Sequence, residues 1–240
     1  MKINIMHIYP DLLNLYGDGG NIAALKQRLL WRGIDAEVTE YMSEDTDFDL
    51  SDIDIVFLGG GTQREERIAV SKLMPEKEKF SQYISSGGVV LAVCGGFRML
   101  GKYFECNGEK NEELGVLDFY AEDGENGFVG DVVMNSLVTD GMIVGFENHR
   151  ERYNIGEYSP LGKLCSGNGN NGNDGAEGVI YKGVTATSLH GPLLPKNPKL
   201  CDYILEKALK KKYADFEGLT PLSDEMENKA NEMIVRRYEG

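Results

Sequence analysis

Basic residues are scarce in this chain. Against 39 Asp and Glu it sets 25 Lys and Arg over 240 residues, a formal charge of −14. Neutralising a phosphate backbone or an anionic membrane surface takes a basic face, so the balance argues against nucleic-acid binding and against simple electrostatic membrane attachment. No run approaches the roughly 18 apolar residues a membrane helix needs. The opening "MKINIMHIYP" is too short and interrupted for the apolar region of a signal peptide. Cys94, Cys106, Cys165 and Cys201 form no CxxC pair and the three histidines do not cluster. Zinc coordination and a disulfide framework are therefore not expected, and a reduced cytoplasm is the economical location. Low complexity is confined to "SGNGNNGNDG", residues 166–175, whose Gly, Asn and Asp content predicts a mobile loop or hairpin tip. It lacks the GxxxxGK[ST] pattern of a phosphate-binding loop.

Hydrophobic residues at 41% and charged residues at 27% are the proportions of a soluble globular protein with a sizeable core. The length suits one large domain or two small ones. "KINIMHIY" (2–9) reads as a buried strand ended by Pro10. Ile22, Leu25, Leu29 and Leu30 then recur at helical spacing, with Gly33 where a helix stops. "DAEVTEY" and "DIDIVFL" supply two more strands, the second followed by Gly59-Gly60-Gly61. A charged helix is expected over about 75–85, then the strand "GVVLAV", then a helix from about 97 to 104. Strands alternating with helices predict a parallel sheet covered on both faces. Short runs divided by Gly, Asn and Asp between about 114 and 149 suggest antiparallel strands. "GVIYKGVTATSLHG" offers two further strands, and amphipathic helices near 200–211 and 223–237 close the chain.

In a parallel sheet of this kind ligands bind beyond the carboxyl ends of the strands. Three features converge there: the Gly59–Gly61 turn, Cys94 in "GVVLAVCGGFRMLG", and His190 before Gly191-Pro192. A cysteine set between a strand and two glycines that open a helix reads as a nucleophile on a sharp turn. A free thiol titrates near ~8.5, and amides at a helix N-terminus are expected to pull that down. His190 is the best placed base, although spacing does not separate it from His149. His7, inside the first strand, reads as a core residue. Attack by sulfur on a carbonyl builds an oxyanion, for which the N–H groups of the glycine turn and of Gly95 are the expected donors. Cys106, Cys165 and Cys201 read as structural.

"YPDLLNLYGDGGN", "AVCGGFRMLG", "GFENH" and "SLHGPLLPKN", in that order and across the whole chain, resemble the class I glutamine amidotransferases of the cobyric-acid-synthase-like group. More narrowly, they resemble the glutaminase subunits of lipid II isoglutaminyl synthase. The resemblance implies a single flavodoxin-like α/β domain over 1–240, its mostly parallel central sheet covered by helices on both faces and carrying an antiparallel extension. It implies Cys94 as nucleophile, His190 as base, and Gly60, Gly61 and Gly95 around the glutamine amide. It also implies a heterodimer with a MurT-like Mur ligase subunit. That partner would use ATP and magnesium to activate D-glutamate in the peptidoglycan stem peptide of lipid II; no metal or organic cofactor is implied for this chain. Alternatives are a subunit serving another synthetase, such as a cobyrinate-type amidation, or a catalytically weakened subunit that stabilises its ligase. Four departures bear on this, one of them Arg150 in "GFENHRER", where relatives often carry glycine. Pro192 stands where triad-type members carry a glutamate, so a carboxylate from the partner is expected to orient His190. Arg98 replaces the usual glutamine four residues after the nucleophile and is expected to grip the substrate carboxylate. Gly127 stands where lipid II-type relatives tend to carry arginine.

Overall fold

In the computed structural model, which describes residues 1–238, the chain folds around two six-stranded sheets. The first contains β1 (Lys2–Ile8), β2 (Asp35–Tyr41), β3 (Ile55–Leu58), β4 (Val89–Val93), β11 (Val179–Tyr181) and β12 (Val184–Thr187), in the order β11-β12-β4-β3-β1-β2. All neighbours are parallel except the β11–β12 hairpin. Every residue of β3, β4 and β12 is buried, as strands covered on both faces must be.

Alternate side chains of these strands feed two cores. Ile3, Ile5, Phe57, Leu91 and Val93 pack with α1 (Gly19–Leu30) and α5 (Pro198–Lys212). Met6, Ile8, Val56, Leu58, Val90 and Ala92 pack with α2 (Gln63–Leu73) and α3 (Lys77–Ser85). Helices thus cover both faces, as expected. The helix α2 was not foreseen, although Thr62 and Glu65 form a capping box at its start: Thr62 Oγ1 accepts from the Glu65 N–H, and the Glu65 carboxylate accepts from the Thr62 N–H at 2.8 Å.

The helix after Cys94, α4 (Gly95–Met99), is shorter than its predicted span to 104. The chain turns instead into a hairpin of β5 (Tyr103–Cys106) and β6 (Glu109–Glu112). Asn107 and Gly108, both at positive φ, make the tip, which is the usual chemistry of a two-residue hairpin turn. The hairpin joins the second sheet, where the expected short strands merge into two long ones, β7 (Tyr120–Ser136) and β8 (Met142–Asn154). A register shift between Asp123 and Phe128 absorbs the glycines that look like breaks in the sequence. β9 (Gly162–Ser166) and β10 (Ala176–Glu177) complete this extension, antiparallel as expected except where β5 runs parallel to β7, and α6 (Glu225–Val235) lies against β8.

The Gly/Asn-rich stretch expected to be a mobile loop is hydrogen-bonded along its length. Asn170 is fully buried, its Oδ1 accepts from Gly178 N–H at 2.9 Å, and its carbonyl accepts from Tyr153 N–H at 2.7 Å. Asn168 and Gly169 donate to the Glu147 carboxylate. The reason is specific: these Asn and Gly residues serve as donors to a buried carboxylate rather than as solvated spacers.

An ion cluster ties α1 to the C-terminal part. Arg28, buried, donates to both Asp202 carboxylate oxygens at 2.7 Å and to Asp224 at 2.6 Å, while Arg32 also reaches Asp202. Replacing Arg28 by alanine leaves carboxylates without their partner, and a loss of about 3 kcal/mol in unfolding free energy is expected, measured by chemical denaturation.

Candidate active site

Parallel register delivers the site. Leu58 pairs with Ala92 and Thr187 with Val93, so β3, β4 and β12 end together and release Gly59, Cys94 and Ser188 at one edge. At Cys94 the backbone adopts φ 52°, ψ −123°, a conformation L residues rarely take. The corner is fastened by Cys94 N–H donating to Thr187 O at 2.9 Å and by Phe97 N–H donating to Cys94 O at 3.0 Å. The two glycines that follow are sterically required. A Cβ on Gly95 would lie 1.7 Å from Glu66 Oε1, and one on Gly96 would lie 2.5 Å from Leu58 O. The glycine turn comes equally close from the other side, where a Cβ on Gly60 would sit 2.9 Å from Cys94 Sγ.

Cys94 opens onto a cavity of about 310 Å³. Its walls include Tyr16, Gly61, Glu66, Gly95, His149 and Glu151. Cys94, Gly60, Gly61 and Gly95 are therefore brought together. His190 is not among the residues lining this cavity; its imidazole stacks on the ring of Tyr16, which does line it, with centroids 4.0 Å apart. The segment before α1 and that helix's first turn build much of this end: Tyr16 stacks on His190, buried Asp18 accepts from Gly60 N–H at 2.9 Å, and Asn21 Oδ1 in α1 accepts from Leu194 N–H. A buried carboxylate, Glu177, accepts from Thr187 Oγ1 at 2.6 Å and from the Ser188 N–H and hydroxyl at 2.7 and 2.9 Å, fixing the strand end that leads to His190.

The electrostatics depart from expectation in three respects. The thiol of Cys94 is pushed up, not down: burial dominates, the charges of Glu66, Glu151 and Asp18 add to it, and the Gly95 N–H only partly opposes them. A helix of five residues supplies too little dipole to overcome three carboxylates. The N–H groups of Gly60 and Gly61, expected as free oxyanion donors, are already given to Asp18 at 2.9 Å and to Glu66 at 3.2 Å. Arg98 is committed to carboxylates rather than to a ligand. It is 2% exposed and pairs with Glu66 at 3.0 Å, Glu113 at 3.0 Å and Glu151 at 3.3 Å. The arginine that lines the cavity is Arg150, whose Nε lies 3.0 Å from Asp123. It stands beside Gly127, where a Cβ would fall 3.9 Å from its Cγ.

His149 also lines the cavity, with Nδ1 3.1 Å from Glu151 O and Nε2 3.8 Å from Glu147. His7 is a core residue as expected, edge-on to Phe57. Of the cysteines read as structural, Cys201 is buried, Cys106 is half-buried and Cys165 is exposed. Tyr16, Asp18, Glu66, Glu151 and Glu177 were missed, because the sheet edge assembles them from distant segments and none forms a local pattern with Cys94.

Residues 4–198 match the family of CobB/CobQ-like glutamine amidotransferase domains. The chain belongs to this family. It is 41% identical over 237 residues to the GatD subunit of the glutamine-hydrolysing lipid II isoglutaminyl synthase of Staphylococcus aureus, covering 98% of this chain and 96% of that one. With the same subunit of Streptococcus pneumoniae it shares 42% over 216 residues, 88% of this chain and 82% of the other. Among solved structures, PurLQS from Thermotoga maritima superposes with a TM-score of 0.57 at 16% identity, over 88% of this chain and all of that chain, a likeness of fold alone. The expected α/β amidotransferase fold with its mostly parallel sheet is the one observed. No described helix is long and apolar enough to cross a membrane.

Burial pushes His7 and His190 down to about 4, with the charges of His149 and Lys196 adding at His190. An unfolded histidine binds its proton near ~6.5. Between about pH 6.5 and 4 the unfolded chain therefore holds more protons at these sites than the folded one, and their contribution to stability falls as pH falls. Their ring resonances should stay neutral to about pH 4 in an NMR titration, and His7→Phe should flatten the decline of the denaturation midpoint between pH 7 and 5.

Proposed function

We propose that this chain is the glutaminase subunit of a lipid II isoglutaminyl synthase and passes ammonia to a MurT-like Mur ligase subunit. The observation that carries this is the strained Cys94 corner, opening beside a glycine turn onto a cavity at the sheet edge. Its support in sequence is the extended identity to GatD subunits.

In this reading Cys94 Sγ attacks the side-chain amide carbon of glutamine, its proton passing to His190. The tetrahedral oxyanion takes the Gly95 N–H, and a glycine-turn N–H once Asp18 or Glu66 releases it. The C–N bond then breaks, ammonia leaves with the proton returned by His190, and water cleaves the thioester to glutamate. Arg150 takes over the carboxylate-binding role first assigned to Arg98: its guanidinium is bonded to Asp123 and Gly124 O but is exposed at the cavity wall, where it exchanges that pair for the substrate carboxylate. Replacing Arg150 by glutamine should raise the KM for glutamine about tenfold or more, with a smaller effect on kcat.

Among the described residues no carboxylate pairs with His190, and its buried Nε2 has no hydrogen-bond partner. A neutral ring held near 4 is a weak base at neutral pH. A carboxylate contributed by the ligase subunit at the interface would orient the ring and raise its basicity. The isolated chain should then be a weak glutaminase. An electrophilic glutamine analogue should label Cys94, located by peptide mass, much faster with a MurT-like partner than without. Absence of labelling in both conditions, with Cys94→Ala as control, would instead favour a subunit that only stabilises its ligase. Equal, rapid labelling without a partner would remove the shared-carboxylate idea.

A further inference from the structure

Glu66 occupies an unusual place for a buried carboxylate. It sits in the first turn of α2, is 4% exposed, and lines the same cavity as Cys94. Its Oε1 accepts from Gly61 N–H at 3.2 Å and lies so close over Gly95 that a Cβ there would be 1.7 Å away. The oxygen thus bonds the backbone of the glycine turn and fills the space beside the residue that follows the sulfur. Its Oε2 pairs with Arg98 Nη2 at 3.0 Å, within a cluster where one guanidinium faces three carboxylates. An ion pair whose only purpose was to hold α2 against α4 would not need an oxygen in the donor cradle of a nucleophile.

We propose that Glu66 is a stopper of the Cys94 site: its carboxylate fills the seat of the reacting amide, and an amide enters only when Glu66 withdraws toward Arg98 and Glu113. This rests on Cys94 being the nucleophile. The cluster is equipped to receive the displaced group. Glu113 Oε2 is buried with no hydrogen-bond partner, and Arg98 already spans Glu66, Glu113 and Glu151. Burial pushes the Glu113 carboxyl up to about 7, against the pull of Arg98, so the cluster can hold a proton at neutral pH and relieve the crowding of charge. The charged or titratable groups facing Cys94 are Glu66 from α2, Glu151, His149, Arg150 and Tyr153 from β8, Asp18 and Tyr16 from the segment before α1, and His190 beyond Tyr16. Glu66 takes the Gly61 N–H while Asp18 takes that of Gly60, and of the two Glu66 is the one that lines the cavity and lies over Gly95.

The test is alkylation of Cys94 by iodoacetamide, which requires no recognition of glutamine, followed by peptide mass on the full chain between pH 6 and 10. Glu66→Gln should accelerate modification at neutral pH about tenfold or more and move its midpoint to lower pH, because a neighbouring anion is removed. Glu66→Gln combined with Arg98→Gln removes the pair with no net change of charge in the cluster, and should also react faster than wild type. The double variant decides the matter if the single one fails to fold, as read by circular dichroism. A folded variant whose Cys94 reacts at the wild-type rate with the wild-type midpoint overturns the proposal. That outcome is distinct from failure of the glutaminase reading, which shows as no labelling of wild type by the glutamine analogue even with the partner present.

Discussion

Everything chemical in this molecule depends on one backbone corner. Holding Cys94 at φ 52°, ψ −123° costs about 1–3 kcal/mol relative to ordinary conformations, and the surrounding structure must impose it. It does so through β4, whose five residues are buried between β3 and β12 and so cannot shift register to relax the turn. The bond from Cys94 N–H to Thr187 O extends the β4–β12 ladder one residue past its end. Glycine is then needed on both approaches. The chain after the sulfur runs against Glu66 and Leu58 O, and the chain of the β3 turn runs against the sulfur itself.

That corner is buried and set among acids, and the two together govern its resting state. Burial first, and then the charges of Glu66, Glu151 and Asp18, favour a neutral thiol, while burial favours a neutral imidazole at His190. Asp18 is itself pushed up to about 6 by burial, opposed by the Gly60 N–H it accepts from. The resting pair is therefore thiol and neutral ring, not thiolate and imidazolium. Proton transfer has to be driven by groups that arrive with the substrate or with a partner, which makes control of the site by assembly physically reasonable.

Residues with local causes were legible in the sequence. The buried strands, the helix ending before Gly33, the turn at Cys94 and the final two helices all follow from periodicity and glycine placement. Two local signals went unread: the Thr62–Glu65 capping box that starts α2, and the Asn107-Gly108 turn that ends the helical reading after Cys94. The length of β7 and β8 was hidden because Gly124, Gly127 and Gly130 look like breaks, whereas pairing across the hairpin tolerates them. The site's carboxylates were illegible for a different reason. Asp18, Glu66, Glu151 and Glu177 come from four segments, and only the closed fold shows that they surround one sulfur or the strand end that leads to His190. The same holds for Arg98, whose charge suggested a ligand until three acids were found beside it.

Arg98 also explains why the antiparallel extension matters to a site built on the parallel sheet. Its guanidinium joins Glu66 of α2 to Glu113, just past the β5–β6 hairpin, and to Glu151 of β8. The same stretch of β8 carries Asn148, His149 and Arg150 to the cavity wall, and Glu147 beneath it is clasped by Asn168 and Gly169. Moving the hairpin would alter the cavity's walls and the charge around Cys94 together. A guanidinium contacting three elements resists that motion, since any one displacement strands a buried carboxylate. The departure at position 98 is thus best understood as a brace between the two sheets, held by carboxylates of the chain itself and turned away from any ligand.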